Sequence, residues 1–199
     1  VERGFEITDD TYVELVAAAS RCGDVEATMH HLETLEGRGA EITSSLWMAA
    51  FDVCAQKSHV ELTQMCLKKL KDMGVEISEQ RYLAVAAAMA RAGDPRAAEE
   101  WLDKADFKVK CNAYAPIVKA FGIDGMPNRA AQLVEKMEAD GVEINRTVFD
   151  PVIAGFARKG EMDQAQVWIN RGEDLGVWSN QDTKLAMHNS VIKTLVDGG

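Results

Sequence analysis

The sequence predicts an all-α fold made of about five to six helix-turn-helix repeats of about 35 residues. An aromatic residue recurs with gaps of 35, 35, 32 and 35 residues, at Tyr12, Trp47, Tyr82, Tyr114 and Phe149. A Gly-x-Glu-Ile motif keeps nearly the same spacing, beginning at Gly4, Gly39, Gly74 and Gly141. Self-similarity at one fixed period is typical of repeat arrays, which more often bind partners along an extended surface than catalyse reactions.

The first repeat shows how each unit is encoded. Apolar residues at the spacing of one helix face predict a helix A, and they are Tyr12, Leu15, Val16 and Ala19. Segment 21–24 interrupts this pattern. A second apolar stripe predicts a helix B and consists of Val25, Met29, Leu32 and Leu35. Gly37 and Gly39 then end helix B, because glycine accepts the left-handed conformation that follows a helix.

Start signals for later helices fall at matching points. Residues of N-cap type precede successive A helices, namely Thr8, Thr43, Ser78 and Asn145. For the B helices, Asp94 and Pro95 place an N-cap residue before a first-turn proline, and Met126 with Pro127 is a looser version. Segment 58–61, Ser-His-Val-Glu, is typical of a capping box.

These signals divide the chain into one continuous helical array. The predicted repeats span 9–43, 44–78, 79–110, 111–145 and 146–184, after a tail of a preceding repeat at 1–8 and before the start of a sixth at 185–199. The third is three residues short near 105–108, and the fifth is about four residues longer near 178–184. We expect the recurring aromatics to be buried between helices. Because neither end resembles a polar terminal cap, we also expect the chain to be part of a longer array.

The repeats resemble the pentatricopeptide repeat family over essentially the whole chain. The resemblance rests on a helix A that opens with an aromatic and apolar pairs and closes in Arg/Lys-x-Gly, best seen in 11–25 and 146–165. Five copies in phase make it specific, and the tetratricopeptide Trp-Leu-Gly-Tyr signature is absent. The resemblance implies a right-handed α-solenoid in mitochondria or plastids that binds single-stranded RNA, one base per repeat.

In that family, two positions of each repeat read the base through hydrogen bonds. The position after the aromatic, usually Asn, Thr or Ser, here holds Val13, Met48, Leu83, Ala115, Asp150 and Asn189. The last position holds Thr43, Ser78, Lys110 and Asn145, with Asn180 or Lys184 in the fifth repeat. Four of the six side chains in the first set cannot hydrogen-bond a base. The scaffold therefore matches the family, whereas its base code does not.

The formal net charge of −10 opposes nucleic-acid binding, which is driven largely by cations that displace phosphate counterions. A local basic stripe would still favour it. Four cations are predicted at the ends of A helices, where stacking would align them: Arg21, Lys57, Arg91 and Arg158. The resemblance places them near an RNA backbone. Alternatively, they complement the helix macrodipole. Ile123 and Asp197 interrupt the stripe.

No catalytic, cofactor or metal motif is recognisable, so the sequence does not predict an enzyme. The four cysteines, Cys22, Cys54, Cys66 and Cys111, form no Cys-x-x-Cys pair and are expected to be mostly small buried residues in a reducing compartment. The longest apolar run, 83–90, is too short to span a bilayer. Trp178 follows Gly176 in an irregular turn, as either a lid over a longer loop or an anchor for a protein interface.

The acidic charge and the lost base code favour a non-catalytic scaffold. The family resemblance implies that this scaffold would be a structural or assembly subunit of a plastid or mitochondrial complex. Its partners would be proteins, without a cofactor, a metal or DNA. The alternative is pentatricopeptide-type binding of single-stranded RNA in organellar RNA metabolism. Under that alternative the predicted contact residues are Arg21, Lys57, Arg91, Arg158, Asp150 and Asn189.

Overall fold

The computed structural model describes residues 8–178 and Asn189. Between residues 8 and 178 the chain forms ten α-helices and no strand. The helices alternate between A and B positions of successive repeats: α1 (Asp9–Cys22), α2 (Val25–Gly37), α3 (Ser44–Gln56), α4 (Val60–Asp72), α5 (Glu79–Arg91), α6 (Pro95–Leu102), α7 (Cys111–Ile123), α8 (Pro127–Ala139), α9 (Arg146–Arg158) and α10 (Met162–Asp174). The predicted all-α helical-repeat solenoid class is confirmed.

The A helices α1, α3, α5, α7 and α9 begin at the first residues of the five predicted repeats. Helix α6 has 8 residues, whereas the B helices α2, α4, α8 and α10 have 13 each. This shortening accounts for the short third repeat, because the chain continues without helix as far as Lys110. Residues 1–7 and the predicted sixth repeat lie outside the described residues, apart from Asn189. The same holds for Asn180, Lys184 and Asp197.

Most predicted N-cap side chains accept a backbone N–H of the helix that follows, as seen at Thr8, Ser78, Asp94 and Asn145. Thr43 occupies the N-cap position of α3, but its hydroxyl shares a 2.8 Å hydrogen bond with the hydroxyl of Ser45 instead. The capping box predicted at 58–61 is wrong. Ser58 has φ 63°, so it is the left-handed residue that follows α3, and His59 precedes α4 without a side-chain cap.

The packing divides the chain into two compact units, Val1–Ala88 and Met89–Gly199. In the first unit, α3 packs against both α1 and α2 of the preceding repeat and against its own partner α4. In the second unit, α9 packs in the same way against α7, α8 and α10. An A helix is therefore covered by both helices of the repeat before it.

The recurring aromatic residue is buried in three repeats and half-buried in two. Phe149 is 0% exposed, Trp47 5% and Tyr114 7%. Phe149 meets Trp168 of α10 edge to face, with ring centroids 5.3 Å apart. Tyr12 and Tyr82 are half-buried, so the expectation that this position is buried in every repeat is wrong for those two.

Glycines allow the backbones of α7 and α9 to approach closely. A Cβ added to Gly122 would lie 2.7 Å from the carbonyl oxygen of Pro151. A Cβ added to Gly155 would lie 3.1 Å from the Cα of Gly122 and 3.2 Å from the Cβ of Pro127. Neither contact leaves room for a larger residue without moving a backbone.

Ion pairs connect the B positions of successive repeats. Lys69 reaches Glu36 at 2.6 Å, Lys136 reaches Asp103 at 2.6 Å, and Arg129 reaches Glu99 at 3.2 Å. Arg171 pairs with Glu135 at 3.0 Å and also with Glu138. In the pairs Lys69–Glu36, Lys136–Asp103 and Arg171–Glu135 both side chains are partly open to water, so each of these pairs contributes about 0.2–1 kcal/mol and mainly orients neighbouring repeats. Glu99 and Glu138 are more buried, at 17% and 23% exposed.

Replacement of Gly122 by alanine should lower the free energy of unfolding by about 1–3 kcal/mol, because the new methyl group would push against the Pro151 carbonyl. Gly37→Ala is the matched control. Gly37 ends α2, and no atom lies within 4 Å of its added Cβ. The free energy of unfolding of the Gly37→Ala variant should be unchanged or up to about 1 kcal/mol higher than that of the unaltered chain. Urea denaturation measures both, and equal effects of the two substitutions would contradict the close approach of α7 and α9.

Candidate nucleic-acid interface

The four predicted stripe cations lie at the C-terminal ends of A helices and are exposed. Arg21 is in the last turn of α1, Lys57 directly follows α3, and Arg91 and Arg158 are the last residues of α5 and α9. A cation there complements the partial negative charge of the helix end. Exposure also leaves each side chain accessible to a ligand.

In the first unit, the side chain of Lys57 lies across the end of α1. A Cβ on Gly23 would be 3.0 Å from Cε and 3.4 Å from Nζ of this lysine. Gly23 has φ 73° and ends α1 two residues after Arg21, so Lys57 of the second repeat lies against the end of the helix that carries Arg21. Lys57 lines a cleft of about 460 Å³ together with Asp24 and Glu26, so this end of α1 carries charges of both signs.

In the second unit, Arg158 occupies the corresponding place beside α7. Its Nη2 lies 3.6 Å from the position of a Cβ on Gly122. The next residue, Ile123, holds the stripe position in α7 and is 58% exposed. Lys119 lies one turn earlier on the same face of α7 and is exposed. The sequence analysis missed this lysine because it compared only equivalent positions of the repeats.

Three of the four stripe cations are not neutralised by an acidic side chain of the described residues. Over residues 8–178, no ion pair involves Arg21, Lys57 or Arg158. The neighbouring Lys159, by contrast, pairs with Glu161 at 3.1 Å. Three of the four predicted cations therefore keep donors available for an anion, which forms charge-assisted hydrogen bonds with such groups.

The first base-reading position is mostly apolar and half-buried, at Val13, Met48, Leu83 and Ala115. Asp150 has a polar side chain, but the guanidinium of Arg146 donates to its Oδ2 from Nη2 at 3.0 Å and from Nε at 3.2 Å. Asn189 is helical and exposed. Base recognition at this position is therefore limited to few side chains, of which Asp150 is already paired.

The last position of the repeat is partly used by the fold. Ser78 and Asn145 cap helices with the atoms that would otherwise meet a base. Lys110 is exposed, precedes α7 and makes no side-chain cap. It lines a cleft of about 610 Å³ together with Lys108 and Asn112. The shortened third repeat supplies both lysines, a local cluster that was visible in the sequence.

Trp178 is 9% exposed, so little of its indole is open to a partner, and its role as an interface anchor stays a prediction. Its ring lies on the backbone of Gly172, where an added Cβ would be 2.0 Å from Cη2. The ring also meets Phe149 edge to face, with centroids 6.0 Å apart. The glycine leaves the space that the indole fills, so the structure places Trp178 as a cover of the fifth repeat.

Metal and membrane signals are absent from the described part of the chain. No group of three His, Cys, Asp or Glu side chains in it is placed to hold a metal ion. None of its helices combines the length and the apolar character that a bilayer span requires. Cys54, Cys66 and Cys111 are buried as expected, whereas Cys22 is exposed.

These features define a helical-repeat protein with cations at one edge of its A helices. Residues 44–165 match the family model described as pentatricopeptide repeat-containing protein. The chain belongs to the pentatricopeptide repeat family. No curated protein matches its sequence.

Solved structures share the fold at low sequence identity. The maize protein PPR10 aligns with a TM-score of 0.73 and 14% identity, over 94% of this chain and 27% of that one. The structure of PPR10 in complex with an 18-nt psaJ RNA element aligns with a TM-score of 0.68 and 15% identity, over 94% of this chain and 27% of that one. The PPR domain of Arabidopsis thaliana PRORP1 in complex with tRNA aligns with a TM-score of 0.64 and 15% identity, over 93% of this chain and 98% of that one. The present chain thus spans 27% of the maize protein.

Truncation of Trp178 tests its assignment to the core. Because it empties the space beside Gly172, Trp178→Ala should lower the free energy of unfolding by about 3–5 kcal/mol. It should also reduce hydrogen-exchange protection in α9 and α10. Val167→Ala is the control, since Val167 of α10 is 56% exposed and should change stability by less than about 0.5 kcal/mol. Unchanged protection in the Trp178 variant would show that the indole does not cover this repeat.

Proposed function

We propose that the chain is a non-catalytic pentatricopeptide repeat protein that binds single-stranded RNA mainly through the phosphate backbone, with little selectivity among bases. The observation that carries this proposal is that Arg21, Lys57 and Arg158, at the ends of A helices, are exposed and form no ion pair within residues 8–178. Arg21 and Lys57 belong to successive repeats, and Lys57 lies against Gly23 at the end of α1. In the second unit, Arg158 and Lys119 offer similar exposed charges. Such cations displace counterions from phosphates.

The distribution of acidic residues supports the same proposal. The predicted first repeat, 9–43, contains eight Asp and Glu against two Arg, so it carries −6 of the net charge of −10. Residues 44–110 contain ten acidic and ten basic side chains and are neutral. Since exposed charges are screened within about 8–10 Å, the acidity of the first repeat opposes phosphate binding at Arg21, which belongs to that repeat, and at Lys57, whose cleft Asp24 and Glu26 line. It has little effect on more distant cations.

The complexes of PPR10 with an 18-nt RNA element and of the PRORP1 domain with tRNA support RNA as the ligand class. The base-reading positions argue for low selectivity. Val13, Met48, Leu83 and Ala115 offer no hydrogen bond to a base edge, and such bonds are what distinguish bases. Apolar side chains still contact the faces of bases, which every base presents alike.

A protein-binding scaffold is the second candidate. The half-buried apolar side chains on the A helices favour it, because a protein partner would cover Met48 in the first unit or Ala115 and Pro116 in the second. In this form the chain would be a structural or assembly subunit of a plastid or mitochondrial complex. We also propose that the protein is located in the reducing interior of a plastid or mitochondrion, which its family resemblance supports.

Charge reversal at the stripe distinguishes the two candidates. The triple variant Arg21→Glu, Lys57→Glu and Arg158→Glu should bind random single-stranded RNA at least tenfold more weakly than the unaltered chain. The slope of log affinity against log salt should fall by roughly 2, since each lost phosphate contact removes about 0.7. Fluorescence anisotropy over a range of salt concentrations measures both quantities.

The matched control reverses three exposed cations of B helices, Lys68, Lys71 and Arg96, and so changes the net charge equally. Its RNA affinity should stay within about threefold of the original. Equal losses in both triple variants would mean that total charge, and not the A-helix edge, decides binding. If the unaltered chain does not bind RNA at physiological salt, the RNA proposal fails and the scaffold remains.

A further inference from the structure

Two exposed cations of the second unit come from successive A helices and lie on one stretch of its surface. Nη2 of Arg158 in α9 is 3.6 Å from the position of a Cβ on Gly122 of α7. Lys119 precedes Gly122 by three residues on the same helix face, so its own Cβ is about 5–6 Å from that position. Both side chains are exposed. The ammonium of Lys119 and the guanidinium of Arg158 are therefore close enough for both to contact one small anion.

Neither cation is paired with an acid of the described residues. None of the ion pairs formed within residues 8–178 includes Lys119 or Arg158. Asp124 is close to them in sequence, at the end of α7. It follows Gly122 by two residues, which places it about 200° further round the helix and on the side away from Arg158. The donors of both cations are therefore available for an anionic ligand.

The corresponding edge of the first unit has a different charge. There, Lys57 lines its cleft together with Asp24, the N-cap residue of α2, and Glu26 in the first turn of that helix. The residues at the same places of the fourth repeat are Met126 and Asn128, which are uncharged. This turn and the start of α8 lie against α9. The edge of the second unit thus holds two positive charges beside a neutral turn.

We propose that Lys119 and Arg158 together bind a terminal phosphate of single-stranded RNA. This inference rests on the proposed function, because it specifies the part of an RNA that this edge prefers. An internal phosphodiester carries one negative charge, for which one cation suffices. A terminal phosphate monoester carries about −1.5 to −2 at pH 7 and offers three acceptor oxygens. Two unpaired cations complement the monoester better, since each forms a charge-assisted hydrogen bond with it.

The surface around Lys119 suits the nucleotide that carries such a phosphate. Ala115 lies one turn before Lys119 and is half-buried, and Ile123 lies one turn after it and is 58% exposed. Apolar side chains contact the ribose and the faces of bases, which every base presents alike. The preference should therefore follow the terminal phosphate and not the identity of the terminal base.

Competition binding with three forms of one RNA tests the proposal on the full chain. The short unlabelled RNAs share one mixed sequence and carry a 5′-phosphate, a 3′-phosphate or hydroxyls at both ends, and each competes with the same fluorescent RNA in an anisotropy assay. At least one phosphorylated form should bind about fivefold more tightly than the hydroxyl-ended form. One additional unit charge at about 4 Å in water has an effect of this size.

Single substitutions locate the phosphate on the protein. Lys119→Ala and Arg158→Ala should each abolish the gain that the terminal phosphate gives, whereas Lys119→Arg should keep it because a cation remains. Arg21→Ala is the matched control, since it removes an exposed cation at the end of an A helix of the first unit. It should weaken the binding of all three RNAs alike and leave the gain unchanged. The replaced side chains are exposed, so these variants should keep the far-ultraviolet circular dichroism of the unaltered chain.

The outcomes separate this proposal from the one on which it rests. Equal affinities of the three RNAs for the unaltered chain would overturn the terminal-phosphate site and leave RNA binding intact. A gain that persists in both Lys119→Ala and Arg158→Ala would also overturn it, because the terminal phosphate would then bind elsewhere. If the hydroxyl-ended RNA does not bind, the proposed function fails, and if no form of the RNA binds, both proposals fail.

Discussion

The packing of an A helix against both helices of the preceding repeat is the constraint on which the other features depend. A single helical hairpin cannot bury its apolar faces alone, so the core exists only where repeats stack. In the second unit this stacking brings α7 and α9 into backbone contact through Gly122 and Gly155. Stacking also places the cation at the end of one A helix against the preceding A helix, as Lys57 lies beside Gly23 in the first unit and Arg158 beside Gly122 in the second.

The same stacking sorts the basic side chains by position. Lys69, Lys136 and Arg171 occupy B-helix positions next to acids of the preceding repeat and form ion pairs that orient adjacent hairpins. Arg21 and Lys57 project from A-helix ends and remain unpaired within residues 8–178. An acidic protein can thus keep a local surface suited to phosphates, because exposed charges act over about one Debye length. Net charge alone is a poor guide to the ligand of a repeat array.

Small residues in this fold serve as space for particular neighbours. Gly23 leaves room for the side chain of Lys57, and Gly172 leaves room for the indole of Trp178. In both cases the glycine and its neighbour are separated along the chain and are brought together only by packing. A repeat consensus, which describes positions one by one, does not contain such pairs.

The sequence by itself determined the period, the helix starts, the family and the positions of cations at A-helix ends. Helical periodicity and capping depend on residues within a few positions of one another, so they are readable from local spacing. Tertiary structure decided that Tyr12 and Tyr82 are only half-buried and that Trp178 is covered. It also decided which cations form ion pairs with acids of a neighbouring repeat. These outcomes depend on the side chains that neighbouring helices bring within a few ångströms, and one sequence does not specify those distances.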